Sequence, residues 1–335
     1  MYKKVLIVRK LFLTTVFCIL LTAFFHSARA DSVQSNLFSR AALHSTASQA
    51  LGGAGTAMPH GGMQGLINPA LTAACKTNGS IAAGYGRDPI FNKAALPLGA
   101  VLTDSNGAMG MYYRFLSGSS GSVHDAALNF AGKLFDQVDK QGAVDFGMNL
   151  RYEQSDWKHI RLVDEYEYPK NVKTRNKSVV LDIGFYQPFI MPGLDFALVI
   201  RNLTGYSWNN TDGEDKTSGS IGSRHRTITA GAVYSIPLMD GSLLFQIPLD
   251  VEMVSLFEKS IPNKYIIRSG LEARITPFYT IRFGYAHAPS DPMELITDFN
   301  YKNLFFGGAG VFVKPLQLDF FTGVKEWGVT ATYFY

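Results

Sequence analysis

The chain has 335 residues, with 31 Lys and Arg against 27 Asp and Glu, a formal charge of +4, and 47% hydrophobic residues. Five of the basic residues (Lys3, Lys4, Arg9, Lys10 and Arg29) and no acidic ones fall in the first thirty positions, so without that stretch the charge becomes about −1. The positive excess is local and gives no support to nucleic-acid binding.

Met1 to Ala30 reads as a secretory signal peptide. It has the basic start, an apolar run from Leu11 to Phe25 too short to span a bilayer, and an Ala28-Arg29-Ala30 cleavage site. Cys18 lies in that run, which leaves Cys75 alone in the mature chain; one cysteine excludes an internal disulfide and a multi-cysteine zinc site. No later run of about eighteen apolar residues exists, so no transmembrane helix is expected.

Residues 31–78 do not alternate. They hold a small-residue stretch, Leu51-Gly52-Gly53-Ala54-Gly55-Thr56-Ala57, and then Asn68-Pro69-Ala70-Leu71. Small residues at this density let backbones approach closely, and Pro69 biases Asn68 to an extended conformation. A compact segment ahead of a β-rich region suits a plug, with Gly52, Gly53, Gly55, Asn68, Pro69 and Ala70 as its motif. Asn68-Pro69-Ala70 either shapes a ligand pocket or pins the plug to a wall, and the pinning role is favoured. The glycines serve packing; no strand precedes them, so a dinucleotide site fails its context test.

From residue 79 onward, period-two alternation recurs. Val144, Phe146, Met148, Leu150 and Tyr152 alternate with Asp145, Gly147, Asn149 and Arg151. Leu243, Phe245, Ile247, Leu249 and Val251 oppose Gln246, Asp250 and Glu252, and Tyr279, Ile281, Phe283 and Tyr285 oppose Thr280, Arg282 and Gly284. About fourteen strands follow, and the longest loops, 155–175 and 203–224, fall at odd-numbered connections, as an outward-running first strand requires. The last strand, Trp327 to Tyr335, is apolar at every second position. Periodicity alone fits a soluble sandwich equally well; export, strand number and aromatic strand ends select the membrane. The expected fold is all-β: a transmembrane antiparallel β-barrel of about 14 strands over 79–335, with an N-terminal hatch over 31–78.

On this alternation the lumen receives charges of both signs in near balance, which points to a filled interior rather than an ion-selective pore. Arg151, Arg268 and Arg282 are the candidate ligand-binding residues, since a guanidinium can hold a carboxylate through two parallel hydrogen bonds. No histidine or cysteine spacing suggests a metal, no catalytic constellation stands out, and no cofactor is expected. Aromatics near strand ends, among them Tyr113, Trp327 and Tyr333, suit interface belts.

The Leu51–Ala57 stretch followed by Asn68-Pro69-Ala70 resembles the hatch of the FadL-like long-chain fatty-acid transporter superfamily, a pattern shared by PorV-like barrels of type IX secretion systems. Val199-Ile200-Arg201-Asn202-Leu203, and Gly270–Arg274 with Ile281–Tyr285, resemble later strands of the same families. The resemblance implies an outer-membrane barrel for passive uptake of hydrophobic small molecules, with outer-membrane lipid around it. The barrel-assembly machinery is the partner expected for the last strand. The alternative it implies is a PorV-like barrel that docks secreted proteins or secretion machinery.

Overall fold

The computed structural model describes residues 46–51, 53–59, 61–75, 77–87, 94–104, 107–117, 121–135, 143–161, 170–211, 218–221, 226–254, 264–275, 278–287, 303–323 and 326–335. The expected signal peptide and residues 31–45 lie outside the described residues, as does Gly52.

Seven strands form the first half of the wall: β1 (Gly79–Arg87), β2 (Ala94–Thr103), β3 (Gly107–Ser117), β4 (Gly121–Phe135), β5 (Val144–Arg161), β6 (Lys170–Met191) and β7 (Leu194–Thr211). The eighth, β8, comes in two pieces, Ser218–Ile221 and Thr227–Leu238, which pair with the far and near parts of β7. Then follow β9 (Leu243–Val254), β10 (Lys264–Ile275), β11 (Tyr279–His287), β12 (Asn303–Val313), β13 (Leu316–Thr322) and β14 (Trp327–Phe334). Each strand pairs antiparallel with its neighbour in sequence, and β14 pairs with β1 from Arg87/Trp327 to Ser80/Phe334. The result is a closed antiparallel barrel of 14 strands. Closure satisfies the backbone without a free edge, which hydrocarbon demands.

The alternation resolves as the membrane sense requires. Leu96, Leu98, Met111, Leu128, Phe130, Met148, Leu150, Ile247, Leu249, Ile281, Leu318 and Val329 are exposed on the outside, while Arg151, Glu153, Asp250, Glu272 and Arg282 are buried on the inside. Aromatics bracket the apolar band. Tyr85 packs on Trp327 (ring centroids 5.7 Å apart) at one end, and Tyr279, Tyr333 and Tyr335 stand exposed at the other. The eight residue steps from Trp327 to Tyr335 cover about 27 Å of strand, the height of a hydrocarbon slab.

The wall is uneven. β5, β6 and β7 run 18, 22 and 18 residues, against 7 and 8 in β13 and β14, where about 9–11 suffice to cross. The stretches expected as loops at 155–175 and 203–224 are therefore largely strand, paired out to Arg161/Lys170 and Thr174/Thr211. Alternation fades there because both faces leave the bilayer and become wet, while the hydrogen-bonded ladder continues.

The sense of the wall gives a test. Met148→Arg, mid-band on the lipid face, should destabilise the folded barrel by about 2–4 kcal/mol, while His124→Arg, nearer the rim, costs about 0–1 kcal/mol. Denaturant titrations of protein refolded into vesicles measure both.

Candidate functional site

The described part of the N-terminal segment, residues 46–75, lies inside the barrel. It opens with α1 (Thr46–Ala50) and continues through a 3-10 turn (Gly61–Met63), α2 (Gln64–Ile67) and a second 3-10 turn (Pro69–Thr72). Ala50, Leu51, Ala54, Met58, Ala70 and Leu71 have no exposure at all. Helices this short have little stability of their own, so the wall must hold them.

Asn68-Pro69-Ala70 shows how. Asn68 is extended (φ −140°, ψ 116°), as the following proline requires, and caps the second 3-10 turn with Pro69 in its first position. Its side chain accepts from Ala70 N–H (3.0 Å) and donates to the carbonyls of Thr56 (3.0 Å) and Phe185 (3.1 Å). One fully buried amide thus ties the turn to the glycine-rich stretch and to β6. The wall opposite is glycine: a Cβ on Gly184 would overlap Asn68 Oδ1, and one on Gly147 would overlap the Pro69 carbonyl.

The remaining ties use wall side chains on segment backbone. Asn149 Nδ2 donates to the Gly65 carbonyl (2.8 Å) and Arg201 Nη2 to the Ile67 carbonyl (2.6 Å), which satisfies carbonyls that α2 leaves open at its C-terminal end. Asn129 Nδ2 reaches the Pro69 carbonyl (3.2 Å). On the far side, Asp250 Oδ2 accepts from Gly55 N–H (3.0 Å), Thr56 N–H (3.0 Å) and Thr56 Oγ1 (2.6 Å). Gly53 holds a left-handed φ of 85° that suits glycine in the turn before it. Thr46 is hydrogen-bonded to Thr330 of β14. Segment contacts therefore reach the wall in several directions.

Four lumen arginines face carboxylates of the wall. Arg282 bridges Glu272 (2.7 Å) and Asp319 (2.6 Å), Arg268 meets Glu252 (2.9 Å), and Arg114 meets Asp125 (2.8 Å). Arg151 lies 3.4 Å from Asp182 and donates to Asn202 Oδ1 (2.8 Å). Asn202 sits in a bulge where Arg201-Asn202-Leu203 oppose Asp182 alone; its φ is 54° and its N–H donates to Asp182 (2.8 Å). Arg151, Arg268 and Arg282 are thus all buried in the lumen, and each faces carboxylates of the wall. Arg201 stands within electrostatic range of Arg151 and Arg268; Arg282 belongs to a separate group on β10, β11 and β13. Asp250, Asn129, Asn149, Gly147 and Gly184 complete the segment's seat. Their inward position was readable from alternation, but nothing in the sequence linked them to the motif.

The pairing of β1 with β2 is interrupted. The β1–β2 register holds from Gly79/Leu102 to Ala83/Leu98, skips Gly84–Tyr85 opposite Leu96–Pro97, and resumes at Gly86/Ala95. Pro97 has no N–H to give the ladder. A cavity of about 40 Å³ lies beside this gap. Thr46, Gln49, Arg114, Leu116 and Phe321 line it from within, and Tyr85, Trp327 and Val329 of the outer band line it as well. Pro248 makes a second gap, between β9 and β10, but there Ser269 Oγ donates to the Pro248 carbonyl (3.0 Å).

A filled 14-stranded barrel with an inner N-terminal segment defines the class: the fold is that of the FadL-like outer-membrane barrels. Three solved structures are similar to it in fold. The Ralstonia pickettii toluene transporter TbuX superposes with a TM-score of 0.62 at 11% identity, over 89% of this chain and 100% of that one. The Pseudomonas putida toluene transporter TodX gives 0.59 at 10% identity, over 88% and 99%. A Pseudomonas aeruginosa FadL homologue gives 0.54 at 12% identity, over 87% and 98%. No protein-family model matches the sequence, and no curated protein is significantly similar to it.

Removing the motif's anchor should release the segment. Asn68→Ala strips three buried hydrogen bonds and leaves their partners unsatisfied, a loss of about 1–3 kcal/mol per orphaned group. Gly184→Val acts from the wall side by occupying the same space. In both variants hydrogen exchange should rise at residues 46–75 while the strand amides stay protected.

Proposed function

We propose that this chain is an outer-membrane barrel that admits apolar small molecules passively, with residues 46–75 as its hatch and the β1–β2 seam as the place where they pass through the wall. The observation that carries this is the seam. The lumen is otherwise lined with paired charges and filled by the segment, so an apolar solute finds little to bind there. Beside Pro97 the lining changes: Leu116 and Phe321 are buried apolar residues on the inner face, and the cavity they share is continuous with residues of the lipid-facing band. A missing ladder bond at the same place lowers the cost of parting β1 from β2. The toluene-transporter names of the structural relatives support the same solute class.

Long-chain fatty acids belong to this class with one restriction. At Arg151, Arg268 and Arg282 a fatty-acid carboxylate competes with Asp182, Glu252 and Glu272, which already face them. Uncharged compounds face no such competition.

Uptake of toluene and of a long-chain fatty acid into proteoliposomes tests the proposal, with an unrelated 14-stranded barrel as background. Toluene should enter faster than background. Pro97→Val, which restores the N–H, should reduce its entry severalfold at unchanged barrel stability. Background-level entry of every apolar probe defeats the transport function, and a stoichiometric exported partner in native membranes would then favour docking. Entry that ignores Pro97→Val defeats the seam.

A further inference from the structure

The tall side of the wall carries outward-facing rows whose chemistry changes step by step. Following the ladder register, Met111, Leu128, Leu150, Leu181 and Thr204 form one cross-strand row on β3 to β7. The next row is Tyr113, Ala126, Tyr152, Val179 and Tyr206, and the next Phe115, His124, Gln154, Lys177 and Trp208. Above it come Ser117, Ser122, Asp156 and Arg175. The sequence of rows is apolar, then tyrosine, then mixed with cations. That is the profile of a surface leaving hydrocarbon for the headgroup layer, with tyrosines at the boundary.

We propose that the two rows above the tyrosines form a site for the phosphates of a phosphorylated glycolipid headgroup in the outer leaflet, with Lys177 and Arg175 as the anion-holding residues. The inference rests on the outer-membrane placement proposed above. Several features carry it. Among the described residues Lys177 has no ion-pair partner, yet it lies between Gln154 and Trp208 on neighbouring strands. Arg175 is anchored: its Nε donates to Asp156 Oδ1 (2.6 Å) while its side chain stays 56% exposed. Asp156 is held in turn by Gln154 Nε2 (3.0 Å), and Gln154 Oε1 by Tyr152 Oη (3.1 Å), so the polar rows are tied to the tyrosine row. His124 is fixed alongside, with Nδ1 2.8 Å from Tyr113 Oη and its ring 4.7 Å from that of Phe115. Among the described residues Asp156 is the only carboxylate in these two rows and is already paired, so the two rows keep net positive charge.

A lipid phosphate fits better than a soluble anion. The cations stand directly above an aromatic and aliphatic surface, so one molecule can place phosphate on Lys177 and Arg175 and acyl chains along Leu150 and Leu181. A free anion gains only the first contact. Each cation near an anionic lipid surface contributes an interaction worth about a fivefold change in affinity.

Native mass spectrometry of the purified, folded protein with bis-phosphorylated lipid A and with its dephosphorylated form tests the site. The phosphorylated form should bind about tenfold tighter or more, Lys177→Ala should lose about fivefold, Lys177→Ala/Arg175→Ala more, and Lys177→Arg should retain binding. Equal affinity for the two lipids, or an unaffected double variant, overturns the proposal, as does displacement by inorganic phosphate at the same concentration as the lipid. The substituted residues lie outside the apolar band, and the heat-modifiable gel shift of a folded barrel checks that each variant folds. Membrane fractionation separates the two ideas: protein in the outer membrane without lipid selectivity removes this inference alone.

Discussion

A sheet closed on itself in hydrocarbon has only one dry-side alternative for a charge, which is its own interior. That constraint shapes everything inside this barrel. Alternation sends half of every strand inward, and here the inward half carries Arg114, Arg151, Arg201, Arg268 and Arg282 together with Asp125, Asp182, Asp250, Glu252, Glu272 and Asp319. None of these can remain unpaired at low dielectric without a penalty of several kcal/mol. Cross-strand bridges meet most of the demand, and Arg282 between Glu272 and Asp319 is the tightest case. Asp250 and Arg201 are met instead by backbone groups of residues 46–75.

The inner segment therefore does two jobs through one set of contacts. Asp250 finds its donors in Gly55 and Thr56, and Arg201 and Asn149 find acceptors at the end of α2. Conversely, the segment has too few residues in regular structure to stand alone, and these wall groups close its open backbone positions. Wall and segment each complete the other's hydrogen bonding, so loosening one exposes unsatisfied groups in both. The close approach at Gly147 and Gly184 makes the fit steric as well as polar.

Much of this was legible in the sequence. Strand starts followed from alternation, and the extended Asn68 followed from Pro69. The seat of the motif was not, because a side chain's inward direction says nothing about which inner backbone it will meet. Asp250 reads as one lumen acid among many until the fold brings Thr56 to it, 194 positions away in sequence. The upper halves of β5, β6 and β7 were missed for a different reason. Alternation reports a contrast between two environments, and above the bilayer that contrast disappears while the ladder persists.

The asymmetry of the wall gives the two proposed sites their separate places. On the β1–β2–β14 side the strands barely exceed the apolar band, Tyr85 and Trp327 lie close to the rim, and the ladder is interrupted at Pro97. A defect there opens into hydrocarbon over a short distance, which suits passage of an apolar solute. On the β5–β7 side the register is paired far beyond the tyrosine row, and a defect would open into water or headgroups instead. Above the bulge at Asn202 the β6–β7 ladder runs continuously from Leu181/Thr204 to Thr174/Thr211, which supports fixed cations, because Arg175 and Lys177 are held at set spacing by strands on both sides. Height thus determines what each face can do: the low side can part, and the tall side can only present.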